Sequence, residues 1–197
     1  PLLRAAPASG ALIARDVPYG LNPRQVLDLF RPRSAVTGSS VPVAVFVHGG
    51  GFVRGDKCTS GEIYDNVMHW FVRQGWLAAN VEYRLAPEAP FPAGADDVAL
   101  AMDWLHRHVP GHGGNSARLL LIGHSAGGTH AASYCFDPTL GYLGRHVAAL
   151  ALLSARLRAD VLPVNPNAAG VRAYFREATW RYDQRSPVRY AGHTRLP

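Results

Sequence analysis

The sequence contains only two cysteines, Cys58 and Cys135, in 197 residues. Two isolated thiols form neither a disulfide framework nor a metal-ligand spacing, so no cystine-stapled scaffold and no metal centre is expected. They read as free thiols of a reduced, cytoplasmic compartment. Charge is also scarce. Charged residues make up 17% of the chain against 48% hydrophobic, a balance that excludes a disordered polypeptide and supplies a substantial core. The formal net charge of +6 comes almost wholly from arginine. The arginines are scattered and form no basic run, becoming denser only at Arg172, Arg176, Arg181, Arg185 and Arg189. Without a patch or a stacking module, no nucleic-acid partner is expected. No apolar stretch approaches the length of a membrane span, and no charged-then-apolar leader opens the chain at Pro1. Internal repeats and low-complexity segments are absent, and the length suits one domain over 1–197.

What is present is an alternation of short apolar runs with helical patterns, punctuated by Gly (20) and Pro (15). Residues 13–17 suit an edge strand. Residues 26–30 alternate apolar and polar as a second strand, ended by Pro32. Residues 41–47 are apolar almost throughout, the mark of a strand covered on both faces. Residues 119–122 read the same way, 77–81 form the next strand, and 147–153 form one more apolar strand. Helices are predicted over 60–73 with Ser60 as N-cap, over 93–108, over 126–135, and over a short stretch from Val171 to Ala178. Buried strands alternating with helices imply a mostly parallel sheet flanked by helices.

Two segments carry chemistry. Gly123-His124-Ser125-Ala126-Gly127 stands between a buried strand and a helix and fits G-x-S-x-G. In that arrangement the serine occupies a sharp, strained corner with its hydroxyl free above the sheet. The glycines leave room for the turn, and the following helix points its positive end at developing negative charge. Upstream, His48-Gly49-Gly50-Gly51-Phe52 follows another buried strand. Consecutive glycines let backbone amides approach a ligand oxygen closely, and an oxyanion hole needs at least two such donors. One would come from this loop and one from Ala126, the residue after the serine. His48 precedes the serine, whereas a general base in this class follows it, so His48 is read as a loop anchor.

Together with Tyr83-Arg84-Leu85-Ala86-Pro87-Glu88, Phe91-Pro92-Ala93, Asp97 and Leu27 to Pro32, these segments resemble the hormone-sensitive-lipase-like carboxylesterases of the α/β-hydrolase fold. Kynurenine-formamidase-like hydrolases are close by. The resemblance covers about residues 25–155. It implies Ser125 as nucleophile, Gly50, Gly51 and Ala126 as oxyanion-hole amides, and His48, Gly49, Gly123 and Gly127 as motif support. It also implies a small-molecule ester or amide substrate and no cofactor. An aryl-formamide hydrolase and a catalytically silent hydrolase-fold binding protein are the alternative readings. Arg84 is expected to be buried and paired with Glu88 or Asp97. Phe52 and part of residues 155–190 are expected at the mouth of the site, the latter as a lid. Tyr174, Phe175, Trp180 and Tyr182 would suit either an apolar pocket or simple packing.

In such enzymes the chain order is Ser, then Asp or Glu, then His. Downstream of Ser125 the acids are Asp137, Asp160, Glu177 and Asp183, and the histidines are His130, His146 and His193. His130 and His146 fall where structural roles are expected. A compact triad of Asp160 or Asp183 with His193 would satisfy the order without an intervening strand. Truncation is the preferred reading, with acid and base expected past Pro197. Without a base, Ser125 is a weak nucleophile, so the 197 residues alone are expected to be nearly inactive.

Overall fold

The computed structural model describes residues 10–59 and 63–193. Six strands form one sheet: β1 (Gly10–Pro18), β2 (Val26–Pro32), β3 (Val41–Val47), β4 (Leu77–Val81), β5 (Gly114–His124) and β6 (Val147–Leu153). Their spatial order is β1-β2-β4-β3-β5-β6. The β4-β3-β5-β6 portion is parallel, while β1–β2 and β2–β4 pair antiparallel. Among the described residues four α-helices connect or follow the strands: α1 (Asp65–Arg73), α2 (Ala93–His108), α3 (Ala126–Phe136) and α4 (Ala168–Phe175).

The apolar runs form central strands because both of their faces are covered. From β3, Val43, Val45 and Val47 pack with Leu77, Leu119 and Leu121 against Val98, Met102 and Leu105 of α2 and Ala131, Ala132 and Cys135 of α3. The intervening Ala44 and Phe46 pack with Ala78 and Ile122 against Met68 and Val72 of α1 on the opposite face. Period-two side-chain alternation thus feeds two cores from one strand.

Connectivity places the site. The chain leaves β3 toward β4, on one side, and leaves β5 toward β6, on the other. The loops after β3 and β5 therefore part company, opening a crevice at the carboxyl ends of two adjacent parallel strands. That is the position at which doubly wound sheets accept ligands.

Several boundaries differ from expectation. The helix expected over 60–73 begins at Asp65, and its expected cap, Ser60, lies outside the described residues. Asp65 sits in the first turn, where a carboxylate is favoured, and pairs with Arg15 at 2.6 Å. The last helix spans Ala168–Phe175, about one turn earlier than expected. Arg176 stops it in a left-handed conformation, φ 50, with its guanidinium donating to the carbonyl of Pro87. No described helix is long and apolar enough to cross a membrane.

Candidate active site

β5 ends at His124 and α3 begins at Ala126, so a single residue forms the corner between them. That residue is Ser125, with φ 52 and ψ −116. A non-glycine residue held there costs about 1–3 kcal/mol and needs its surroundings to impose it. Two hydrogen bonds do so. The Ser125 amide donates to the carbonyl of Leu153 at the end of β6 (2.9 Å), and its own carbonyl accepts from the Thr129 amide (3.2 Å). The side chain is half-buried, and its hydroxyl has no hydrogen-bond partner among the described residues. It opens into a cleft of about 390 Å³ lined also by Ser154, Ala155, Arg156, Leu157, Arg158, Asp160 and Asn167.

The triple-glycine loop reaches this serine because α3 starts hard against the end of β3. A β-carbon on Gly127 would stand 2.2 Å from the His48 carbonyl oxygen and 2.4 Å from that of Val47. Only a residue without a side chain allows this approach. The contact delivers the loop: a β-carbon on Gly49 would lie 3.1 Å from Ser125 Cβ. Gly50 and Gly51 follow at φ 150 and φ 59. Neither donates its amide within the chain, among the described residues. Ala126 opens α3, so its amide belongs to a first turn that has no intrahelical acceptor. Unspent amides thus lie on two neighbouring segments at one corner.

His48 is wholly buried and engaged elsewhere. Its ring nitrogens face Glu82 Oε1 (2.9 Å) and the Gly49 carbonyl (2.7 Å). The ring stacks on Tyr83 at 4.3 Å, whose hydroxyl donates to the His48 carbonyl (2.9 Å). These contacts tie the ring to the glycine loop at Gly49 and to Glu82 and Tyr83 at the end of β4. Its partner Glu82 was not singled out in the sequence. The Glu82 carboxylate also accepts from the Arg24 guanidinium and from the amides of Tyr83 (3.1 Å) and Lys57 (2.9 Å). Burial pushes its pKa up, but the hydrogen bond and charge of His48, with the Lys57 amide and Arg24, outweigh it and hold the carboxyl below its ordinary range.

Arg84 pairs with Asp97, not Glu88, through Nε (2.9 Å) and Nη2 (2.7 Å) to Oδ1. It is not buried as expected, because its side chain remains 30% exposed over a carboxylate that is 0% exposed. Phe52 is also placed differently from expectation. It is 3% exposed, stacked on Tyr174 at 4.9 Å, and supports the loop from behind. Tyr174, Phe175 and Tyr182 join it in a satellite core. Packing therefore accounts for those aromatics. Trp180 alone of the four is exposed. Six of the eight residues lining the Ser125 cleft are polar or charged, so its wall is not an apolar acyl pocket.

None of the later histidines lines the cleft, among the described residues. His130 is buried in a cage of Phe52, Tyr83 and Tyr174 rings. Neither ring nitrogen finds a partner, and desolvation, with the charge of His48, drives its pKa down to about 3. His146 stacks on His106 at 3.9 Å and meets Asp103 at 3.2 Å. The side chain of His193 lies outside the described residues. Asp183 is exposed and paired with Arg189 at 2.5 Å, away from the Ser125 cleft. Asp137 accepts from the Thr139 amide and hydroxyl, and Glu177 pairs with Arg185. Asp160 does line the cleft but holds Arg156 at 3.2 Å. No cluster of three His, Cys, Asp or Glu suited to a metal occurs among the described residues.

Comparison with known proteins bears on the same segments. Residues 27–139 match the family model described as BD-FAE, a span that contains both the glycine loop and Ser125. The chain is 34% identical over 131 residues to esterase LipC of Mycobacterium tuberculosis, covering 64% of this chain and 32% of that protein. It is 36% identical over 116 residues to the hormone-sensitive lipase of Ictidomys tridecemlineatus, covering 59% of this chain and 14% of that one. The chain thus spans about a third or less of the length of such curated relatives. Among solved structures, esterase B from Lactobacillus rhamnosis superposes with a TM-score of 0.77 at 22% identity, over 98% of this chain and 64% of that chain. That likeness establishes an α/β-hydrolase fold. A bacterial heroin esterase gives a TM-score of 0.67 at 28% identity, over 85% of this chain and 56% of that chain.

Proposed function

The chain belongs to the BD-FAE family, and from that premise we propose that it carries the nucleophile and oxyanion hole of a serine hydrolase acting on carboxylic esters. One observation supports this most directly. The free hydroxyl of Ser125 stands at a strained strand-to-helix corner, φ 52, beside unspent amides of the glycine loop and of α3. Relatives named esterase, carboxylesterase and lipase favour an ester as the substrate class.

In this reading Ser125 Oγ attacks the carbonyl carbon of the ester, and the carbonyl oxygen becomes an oxyanion. The amides of Gly50, Gly51 and Ala126 receive that charge, in a site already organised before substrate arrives. His48 takes no proton in the reaction. It fixes the loop by joining Gly49 to Glu82. Collapse of the tetrahedral species expels the alcohol and leaves an acyl-enzyme on Ser125, which water hydrolyses. Proton transfer to and from Oγ requires a base. No described histidine lines the cleft, so turnover belongs to a polypeptide that brings one to Ser125. Residues 155–190 form the outer wall as a lid segment, with α4 laid over the loop. A β-carbon on Gly170 would stand 2.0 Å from the Gly51 carbonyl oxygen.

A fluorophosphonate probe tests the proposal on the full-length protein. Labelling that maps to Ser125 and disappears in Ser125→Ala is expected, together with release of p-nitrophenol from short-chain p-nitrophenyl esters. Labelling elsewhere, or hydrolysis that survives Ser125→Ala, would defeat it.

A further inference from the structure

We propose that the ester taken by this site carries a carboxylate and that Arg158 selects it; the inference rests on Ser125 being the nucleophile. The Ser125 cleft adjoins a second one of about 280 Å³ through two shared residues, Arg158 and Asp160. Beyond them the second cleft is walled by Val161, Leu162, Trp180 and Asp183, among others. Each carboxylate on these walls already holds its own guanidinium. Asp160 pairs with Arg156 at 3.2 Å, and Asp183 pairs with Arg189 at 2.5 Å. Arg158 is exposed and has no acidic partner among the described residues. Among the described residues, one uncancelled positive charge therefore stands at the junction of the two clefts.

That charge is permanent, because a guanidinium does not deprotonate in proteins, and its planar fork matches a carboxylate. A neutral aliphatic chain would find little in the Ser125 cleft, whose apolar lining among the described residues is Ala155 and Leu157. A carboxylate would find Arg158, with the Asn167 amide on the same wall. Apolar surface resumes past Arg158, where Trp180 is 68% and Leu162 59% exposed. The arrangement suits a substrate with its ester carbonyl at Ser125, its charge at Arg158, and its apolar remainder against Trp180. The net charge of +6 draws anions in the same sense.

Binding read without turnover, on the full-length protein carrying Ser125→Ala, tests this. Calorimetric titration compares monomethyl adipate, an anion at neutral pH, with dimethyl adipate, its neutral counterpart. The monoanion is expected to bind about three- to tenfold more tightly, as a charge-assisted contact at a partly exposed site. The preference should shrink as salt rises from about 0.05 to about 0.5 M and vanish in Arg158→Gln, while affinity for dimethyl adipate and the melting temperature stay unchanged. Arg158→Lys should keep part of it. Equal affinities with Arg158 in place, undetectable binding of the monoanion, or a preference that survives Arg158→Gln on the Ser125→Ala background would each overturn the inference. Labelling of Ser125 without charge preference removes this inference alone. Charge preference without labelling removes the nucleophile assignment, and with it the ester, leaving Arg158 as a carboxylate-binding residue.

Discussion

Replacing Gly127 by alanine perturbs the contact that brings the glycine loop to Ser125. The new methyl group would meet the carbonyl oxygens of His48 at 2.2 Å and Val47 at 2.4 Å, and the Val47 carbonyl carbon at 2.7 Å. A relaxed C···O contact is about 3.3 Å or longer, so the end of β3 and the start of α3 must separate by about 1 Å. All of the opposing atoms are backbone in the middle of the sheet, and no side chain can swing aside. Overpacking of this kind costs about 1–3 kcal/mol. Alanine's better helix propensity returns up to about 1 kcal/mol, and less than that in a first turn. The net loss should be about 2 kcal/mol. For a domain of this size that lowers the melting temperature by about 4–8 °C. The separation also moves Gly50 and Gly51 away from Ser125, and a shift of about 1 Å can cost about 100-fold in rate. Thermal unfolding by circular dichroism and the rate of fluorophosphonate labelling give the two readouts. Gly111→Ala is the control, since a β-carbon there meets nothing within 4 Å, and it should stay within about 0.5 kcal/mol of wild type. A Gly127→Ala protein that melts with wild type and labels at the wild-type rate would show that the strand and helix are not held in this contact.

Three further outcomes are expected. Ser125→Gly and Ser125→Ala both lose the nucleophile, but glycine accepts φ 52 without penalty; the glycine variant should be the more stable by about 1 kcal/mol in denaturant titration. Glu82→Gln should lose about 2 kcal/mol at neutral pH, because His48, Arg24 and two amides all lose a charged acceptor. Since the folded pKa of Glu82 is depressed, its contribution is present above the unfolded value of 4.5 and disappears as pH falls through the folded one; melting curves from pH 6 down to pH 3 should show an acid limb below about pH 4.5 that is shallower in the variant than in wild type. His130 is held neutral, with its pKa lowered from 6.5 to about 3, so the unfolded chain binds the extra proton across that window. Stability should therefore fall as pH drops below about 6.5, by about 1.4 kcal/mol per pH unit from this group, and His130→Leu should flatten that slope in the same melting series; an unchanged slope would show that His130 charges without unfolding the cage.

Elements whose apolar period is complete were legible at once. The strand at residues 41–47, the helix at 93–108 and the strand at 77–81 have the expected bounds, because burial on both faces or on one helical stripe leaves its pattern in consecutive residues; the strand at 147–153 also has them, although it lies at the sheet edge and is only half-buried. The ends of α1 and α4 were not. They are decided by Arg15 holding Asp65 across 50 residues and Arg176 reaching Pro87 across 89. The aromatics of residues 155–190 were legible as apolar and not as core or pocket, since the choice depended on Phe52 turning inward to meet them.

Local spacing alone determined that a serine would sit at a strand-to-helix corner and that a glycine loop would follow another buried strand, because both features are written within a few residues of themselves. Only the tertiary structure decided that the two meet. Their meeting depends on β3 lying between β4 and β5 and on a helix start close enough to touch the His48 carbonyl. The same holds for Glu82 beneath His48 and for Arg158, which has no acidic partner among the described residues. Sequence period records which face of an element is buried; partners dozens of residues apart are chosen by the order of strands in the sheet, which no local pattern contains.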